Sequence, residues 1–141
     1  VPTIPPATIG TQTITFNDLP IYQFLGGEYP RGVINWGGQW FVARPTNQIK
    51  DNNLHMSGST SFSRSFGFVT PRRLIRLDMI NHGTTASTVT LTCGDQPGRA
   101  VTINPGAVLT GVTTNWTLPC FTVTINSSNG WVVHYDNLVI Q

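Results

Sequence analysis

The sequence predicts an all-β domain, an antiparallel β-sandwich of jelly-roll type. Three observations predict it. Apolar residues recur at every second position through most of the chain after residue 10. Ten prolines and fourteen glycines punctuate it at intervals suited to short strands. No segment keeps helical spacing for three turns. At 141 residues the chain suits one domain with room for a real core.

The start, "VPTIPPAT", holds three prolines and reads as the end of an interdomain linker, residues 1–9, with the domain running from 10 to 141. "QTITFN" places Ile14 and Phe16 on one face of a first strand. "VINWGGQWFVA" holds two short strands broken by Gly37 and Gly38. "SFSRSFGFV" sets Phe62, Arg64, Phe66 and Phe68 against serines and Gly67, and "LIRLDMI" turns Ile75, Leu77 and Met79 inward with Arg76 and Asp78 outward. "STVTLTC" buries Val89, Leu91 and Cys93, and the turn "GDQPG" leads into "RAVTI" as a hairpin. "CFTVTI" follows, then "GWVVHYDNLVIQ", read as one long closing strand.

Asp, Glu, Lys and Arg make up 10% of the residues, against a typical ~25%. The net charge is +2, and "PRRLIR" is the one basic cluster, read as a strand entry with solvated arginines. Nucleic acid is therefore not an expected partner. No apolar run reaches the length of about 18 residues that spans a bilayer, so no membrane partner is expected either. Cys93 and Cys120 lie at strand ends, where a bridge across neighbouring strands fits; it would contribute roughly 3–4 kcal/mol by closing the loop between them. Such a bridge implies a secreted or extracellular protein. Two buried thiols are the alternative, because Cys120 opposes the parity of Phe121, Val123 and Ile125.

Chemistry concentrates in a few residues. On parity, Asp136 falls with Val132, Leu138 and Ile140, and Asp18 with Ile14 and Phe16. Two inward carboxylates on adjacent first and last strands would repel unless a cation joined them. Calcium, which takes six to eight oxygens, suits the position, with Asn17 and Asn137 as further ligands; the alternative is that each Asp caps its own turn. Flat rings are the other resource, since they stack on sugar faces while polar groups hold hydroxyls. Trp36 and Trp131 read as core. Trp40, beside the Gly-Gly turn, and Trp116, in "TTNWTLP", read as candidate platforms, joined by Tyr29 and by Arg44. Tyr22 shares a surface loop with Tyr29, and Asn47, Gln48, Asn52 and Asn53 read as a polar loop. Catalysis has little support: His55, His82 and His134 are dispersed, no nucleophile pattern accompanies them, and six acids offer no obvious hydrolytic pair. "NWT" at Asn115 and "NSS" at Asn126 match the N-glycosylation sequon.

"TITFNDLP…GGEYPRGVINWGGQWFV" with the closing "GWVVHYDNLVIQ" resembles the secreted β-sandwich modules of the galactose-binding-like, carbohydrate-binding kind. The shared features are an acidic end to the first strand, a Gly-rich turn before "N-W", and a closing "Y-D-N-L-V-I" strand. That resemblance implies a non-catalytic module that tethers an attached enzyme or surface protein to a polysaccharide. It also implies a structural calcium held between first and last strands by Asp18 and Asp136. The alternative is a structural or adhesive module that binds protein rather than sugar.

Overall fold

The computed structural model describes residues 10–44, 51–58 and 62–141. The expected linker, residues 1–9, and the loop residues Asn47 and Gln48 lie outside the described residues. Among the described residues twelve strands follow one another: β1 (Gln12–Ile14), β2 (Gln23–Leu25), β3 (Ile34–Asn35), β4 (Trp40–Ala43), β5 (Asn53–Met56), β6 (Ser63–Arg72), β7 (Leu74–Asn81), β8 (Ser87–Thr92), β9 (Arg99–Ile103), β10 (Val108–Thr113), β11 (Cys120–Ser127) and β12 (Val133–Ile140). A 3-10 turn, Gly130–Val132, precedes β12. No helix among the described residues is long and apolar enough to cross a membrane.

Two antiparallel sheets form. One has the order β10-β7-β12-β5-β4-β2, with β1 also paired to β12; the other has the order β3-β6-β11-β8-β9. From β5 onward the chain alternates between sheets except at the β8–β9 hairpin. The central orders β5-β12-β7-β10 and β6-β11-β8-β9 are those of two Greek keys wound together, which is a jelly roll. The expected fold class is therefore observed.

The period-two pattern works because each sheet turns alternate side chains into the space between sheets. Ile14, Phe16, Phe66, Phe68, Leu77, Met79, Val89, Leu91, Val123 and Ile125 are buried there, as expected. Rings link the layers: Phe16 to Trp36 at 5.7 Å, Trp36 to Trp40 at 5.9 Å, Trp40 to Tyr135 at 5.9 Å, each near edge-on, and Trp36 to Phe66 at 4.7 Å. Such pairs add about 0.5–1.5 kcal/mol each beyond their buried area. Gly37 and Gly38, both at positive φ (66° and 73°), carry the chain from β3 in one sheet to β4 in the other; a side chain there would be strained. Three expectations fail locally. Phe62 and Ile75 leave the fully buried rows, Phe62 being exposed and Ile75 half-buried. The long closing strand is interrupted at both ends, by the turn at Gly130–Val132 and by a register shift after Asp136.

Cys93 and Cys120 form a disulfide, their Cα atoms 6.0 Å apart. The parity conflict is resolved by a register shift between Cys120 and Thr122, which frees Cys120 from the alternation of the rest of β11. The bridge ties the start of β11 to the end of its neighbour β8. Reducing it should lower the unfolding free energy by roughly 3–4 kcal/mol, read from denaturant melts with and without reductant. Equal midpoints in the two would show that the closed loop carries no such constraint.

Candidate functional site

On the outward face of the larger sheet, four neighbouring strands bring one residue each into register: Phe24 of β2 opposite Phe41 of β4, Phe41 opposite His55 of β5, and His55 opposite His134 of β12. All four carry rings. Phe24 and Phe41 meet at 5.3 Å, Phe41 and His55 at 5.1 Å, His55 and His134 at 4.9 Å. The 3-10 turn lays Trp131 beside His55 at 5.9 Å, and His82, just past β7, meets His134 at 4.4 Å. The spacing of the row is that of the strands themselves, ~4.8 Å apart. Phe24 is 67% exposed and Trp131 43%. Phe41 and His55 between them are half-buried and His134 is buried, so the row presents one exposed ring at β2 and one at the 3-10 turn.

The imidazoles of this face favour their neutral form. Burial lowers the pKa of His55, His82 and His134, most strongly for His134, which is pushed down to about 2; the other imidazoles add to the shift of His134, and His55 to that of His82. His55 Nδ1 lies 2.7 Å from the Met56 carbonyl, so that nitrogen carries the proton. His134 Nδ1 lies 2.6 Å from Oδ1 of Asn53, which is fully buried, and an amide oxygen there makes this nitrogen the donor too. The histidines, dispersed in the sequence, thus form one neutral cluster.

Asp136 follows His134 on the same side of β12, not on the side of Leu138 and Ile140. Asn137, at φ 48°, and the register shift beside it reset the alternation, so Tyr135 and Leu138 both join the core. Asp136 is nevertheless 1% exposed. Its Oδ1 accepts from the Asn137 N–H at 2.8 Å, and its Oδ2 is buried without a partner. Burial pushes its carboxyl up to about 7; the Asn137 N–H opposes this, and Asp78 and Asp51 add to it. Asp78, opposite in register, has both oxygens engaged, by Gly111 N–H and by Asn137 Nδ2, each at 2.8 Å.

The other expected site residues fall elsewhere. Trp40 is 1% exposed, and its indole N–H donates to Ser65 O across the sandwich at 3.0 Å; it is core and cannot serve as a platform. Trp116 is buried as well, its indole donating to Pro97 O at 2.8 Å. Tyr29 is half-buried, with its hydroxyl against Asp18 Oδ1 and Thr15 O. Arg44 is exposed beyond the end of β4, with Nε 3.4 Å from Asn52 Oδ1. Trp131, expected in the core, is the exposed tryptophan of the face. Trp36 is buried and Tyr22 exposed, as expected. Asn52 and Asn53, expected as solvated loop, are buried. Asp18 is exposed rather than inward. Asn17 Oδ1 accepts from the Asn52 N–H at 2.9 Å, and Asn52 Nδ2 donates to Phe16 O and Leu19 O, each at 3.0 Å. Among the described residues no group of three or more His, Cys, Asp or Glu side chains gathers as a metal cage. Sequence reading missed Phe24, Phe41 and His55; the available signal was parity, since Phe41 must face away from whichever side takes Trp40.

No known protein-family profile matches the chain, and no curated protein matches it. Among solved structures, it is similar to a variant of a family 29 carbohydrate-binding module made to probe ligand recognition (17% identity, 92% of this chain and 90% of that one, TM-score 0.49). A second family 29 module is similar at 16% identity (93% and 88%, TM-score 0.48), and a family 61 module in complex with β-1,4-galactotriose at 10% (82% and 90%, TM-score 0.35). The jelly-roll architecture follows from the strand pairing.

The two tryptophans should separate cleanly. Trp40→Ala should cost ~3–5 kcal/mol of unfolding free energy as a core truncation, whereas Trp131→Ala should change it by less than about 1 kcal/mol. Chemical denaturation of both variants checks this, and a reversed order would place the faces of β4 and the 3-10 turn the other way round.

Proposed function

We propose that this domain is a non-catalytic carbohydrate-binding module whose ligand is a neutral, extended polysaccharide lying across the strands. The observation that carries this reading is the registered row Phe24–Phe41–His55 with Trp131 at its end. The exposed rings Phe24 and Trp131 offer stacking surfaces to pyranose rings, with the half-buried Phe41 and His55 as the floor between them, and the depressed pKa values keep the imidazoles neutral. The deprotonated Nε2 of His55 adds an acceptor for a hydroxyl. Asp136, the one acid of the face with a strongly raised pKa, is buried beneath it and presents no carboxylate to a bound glycosidic bond. Stacking on a shallow face gives weak binding, which attachment to a larger protein amplifies through effective concentration. The disulfide supports an extracellular setting.

Calcium belongs to this reading as a proposal that rests on Asp136 alone. A buried, unpartnered carboxylate oxygen is a group that a bound cation satisfies. Asp18 and Asn17 take no part, since Tyr29 engages the oxygen of one and Asn52 that of the other. The remaining ligands would have to be carbonyl, amide or water oxygens.

Two measurements test these proposals. Calorimetric titration with unbranched neutral β-linked oligosaccharides should show binding that weakens by ~1–3 kcal/mol in Trp131→Ala and in Phe24→Ala, the range of a lost ring at a binding hot spot, with melting temperatures unchanged. Silence toward a broad glycan panel would favour a protein-binding role. Separately, EDTA should lower the melting temperature of the wild type and of Asp18→Asn, because a cation bound only to the folded state stabilises it; Asp136→Asn should not respond. A wild-type melt indifferent to EDTA removes the cation.

A further inference from the structure

The sequon Asn115-Trp116-Thr117 lies in the loop joining β10 to β11, on strands that do not carry the ring row. Its three residues divide sharply. Trp116 is driven inward and locked, its indole held by Pro97 O and its backbone N–H 3.2 Å from Thr114 Oγ1. Asn115 and Thr117 are consequently held outward, both exposed, with Asn115 at φ 61°. Thr113 Oγ1 donates to Asn115 Oδ1 at 3.1 Å, and Asn115 Nδ2 has no hydrogen bond among the described residues. The Thr117 N–H donates to Gln96 Oε1 at 3.2 Å, and the Thr117 hydroxyl has no hydrogen bond among the described residues, so it can serve as the recognition element.

Asn115 also borders a recess of about 860 Å³ beside the Cys93–Cys120 bridge. Leu118 and Phe121 line that recess and are both largely exposed. Two large apolar side chains standing open beside a sequon asparagine are a surface that a covalently held sugar ring would cover. The second sequon has no such setting: Asn126 projects from β11 between Ser63 and Thr90, and Ser128 Oγ is occupied by the Thr88 N–H at 2.9 Å.

We propose that Asn115 is an N-glycosylation site and that the first N-acetylhexosamine of its glycan packs over Leu118 and Phe121. In the modification, Nδ2 of Asn115 attacks the anomeric carbon of a lipid-diphosphate-linked oligosaccharide. The new C–N bond replaces the C–O bond to the diphosphate, the amide proton is lost, and the lipid diphosphate leaves without any change of oxidation state. The glycan keeps an apolar patch from self-association and lies outside the ring row, so ligand binding is unaffected.

Expression through a eukaryotic secretory pathway tests this. Peptide mapping after peptide-N-glycosidase treatment should find aspartate at position 115, and Thr117→Ala, an exposed change that keeps the Asn115 backbone, should abolish it. Compared with Thr117→Ala from the same host, the glycosylated wild type should bind several-fold less of a fluorescent apolar-surface dye. Secreted, disulfide-bonded protein with Asn115 unmodified overturns the site. Occupancy of Asn115 with dye binding equal to that of Thr117→Ala overturns the covering role.

Discussion

The burial of Trp40 sets the face on which the rest of the molecule depends. Its ring contacts Trp36, Phe66 and Tyr135, and its indole N–H reaches Ser65 O in the opposite sheet. An unpaired indole N–H in that interior would cost about 1–3 kcal/mol, so the bond holds the ring to one orientation and β4 to one parity. With β4 so placed, Phe41 has to point outward. The pairing of β2, β4, β5 and β12 then aligns Phe24, His55 and His134 with it. A slip of one residue in β4 would bury Phe41 and expose Trp40, and would dissolve the row.

Two departures from regular strand geometry in the last dozen residues complete the surface. The 3-10 turn at Gly130–Val132 takes Trp131 out of the alternation and turns it toward His55. Asn137, in the left-handed region, lets the closing strand contribute Tyr135 and Leu138 to the core in spite of their odd spacing, and it leaves His134 and Asp136 on the outer side. Irregularities of this kind re-aim side chains where a regular strand could not. Here they deliver a tryptophan, an imidazole and a buried carboxylate to one surface.

Electrostatics on that surface follow from burial. Three imidazoles from three parts of the chain pack within 5 Å of one another in pairs; burial lowers the pKa of each, His55 and His82 further disfavour charge on His134, and His55 does so on His82. The carboxyl of Asp136 is shifted in the direction that also favours its neutral form. Burial thus works against charge on all four of these side chains, the three imidazoles and Asp136.

The sequence alone determined the all-β class, the jelly-roll expectation, the inward rows of Ile14, Phe66, Val89 and Val123, and the pairing partners of the disulfide. These depend on alternation and turn residues, which are local properties of the chain. The tertiary structure decided which side of each short strand faces in. For the four residues of β4, Trp40 and Phe41 are equally apolar, so periodicity cannot choose between them; only the space left beside Trp36 and Tyr135 does. It also decided the face of Asp136, because a single left-handed residue downstream inverts parity and nothing in "YDNLV" announces it. The assembly of Phe24, His55, His82 and Trp131 was beyond reach for the same reason. Residues so distant in the chain become neighbours only through strand register, and register is set by the packing of the whole sandwich rather than by any one segment.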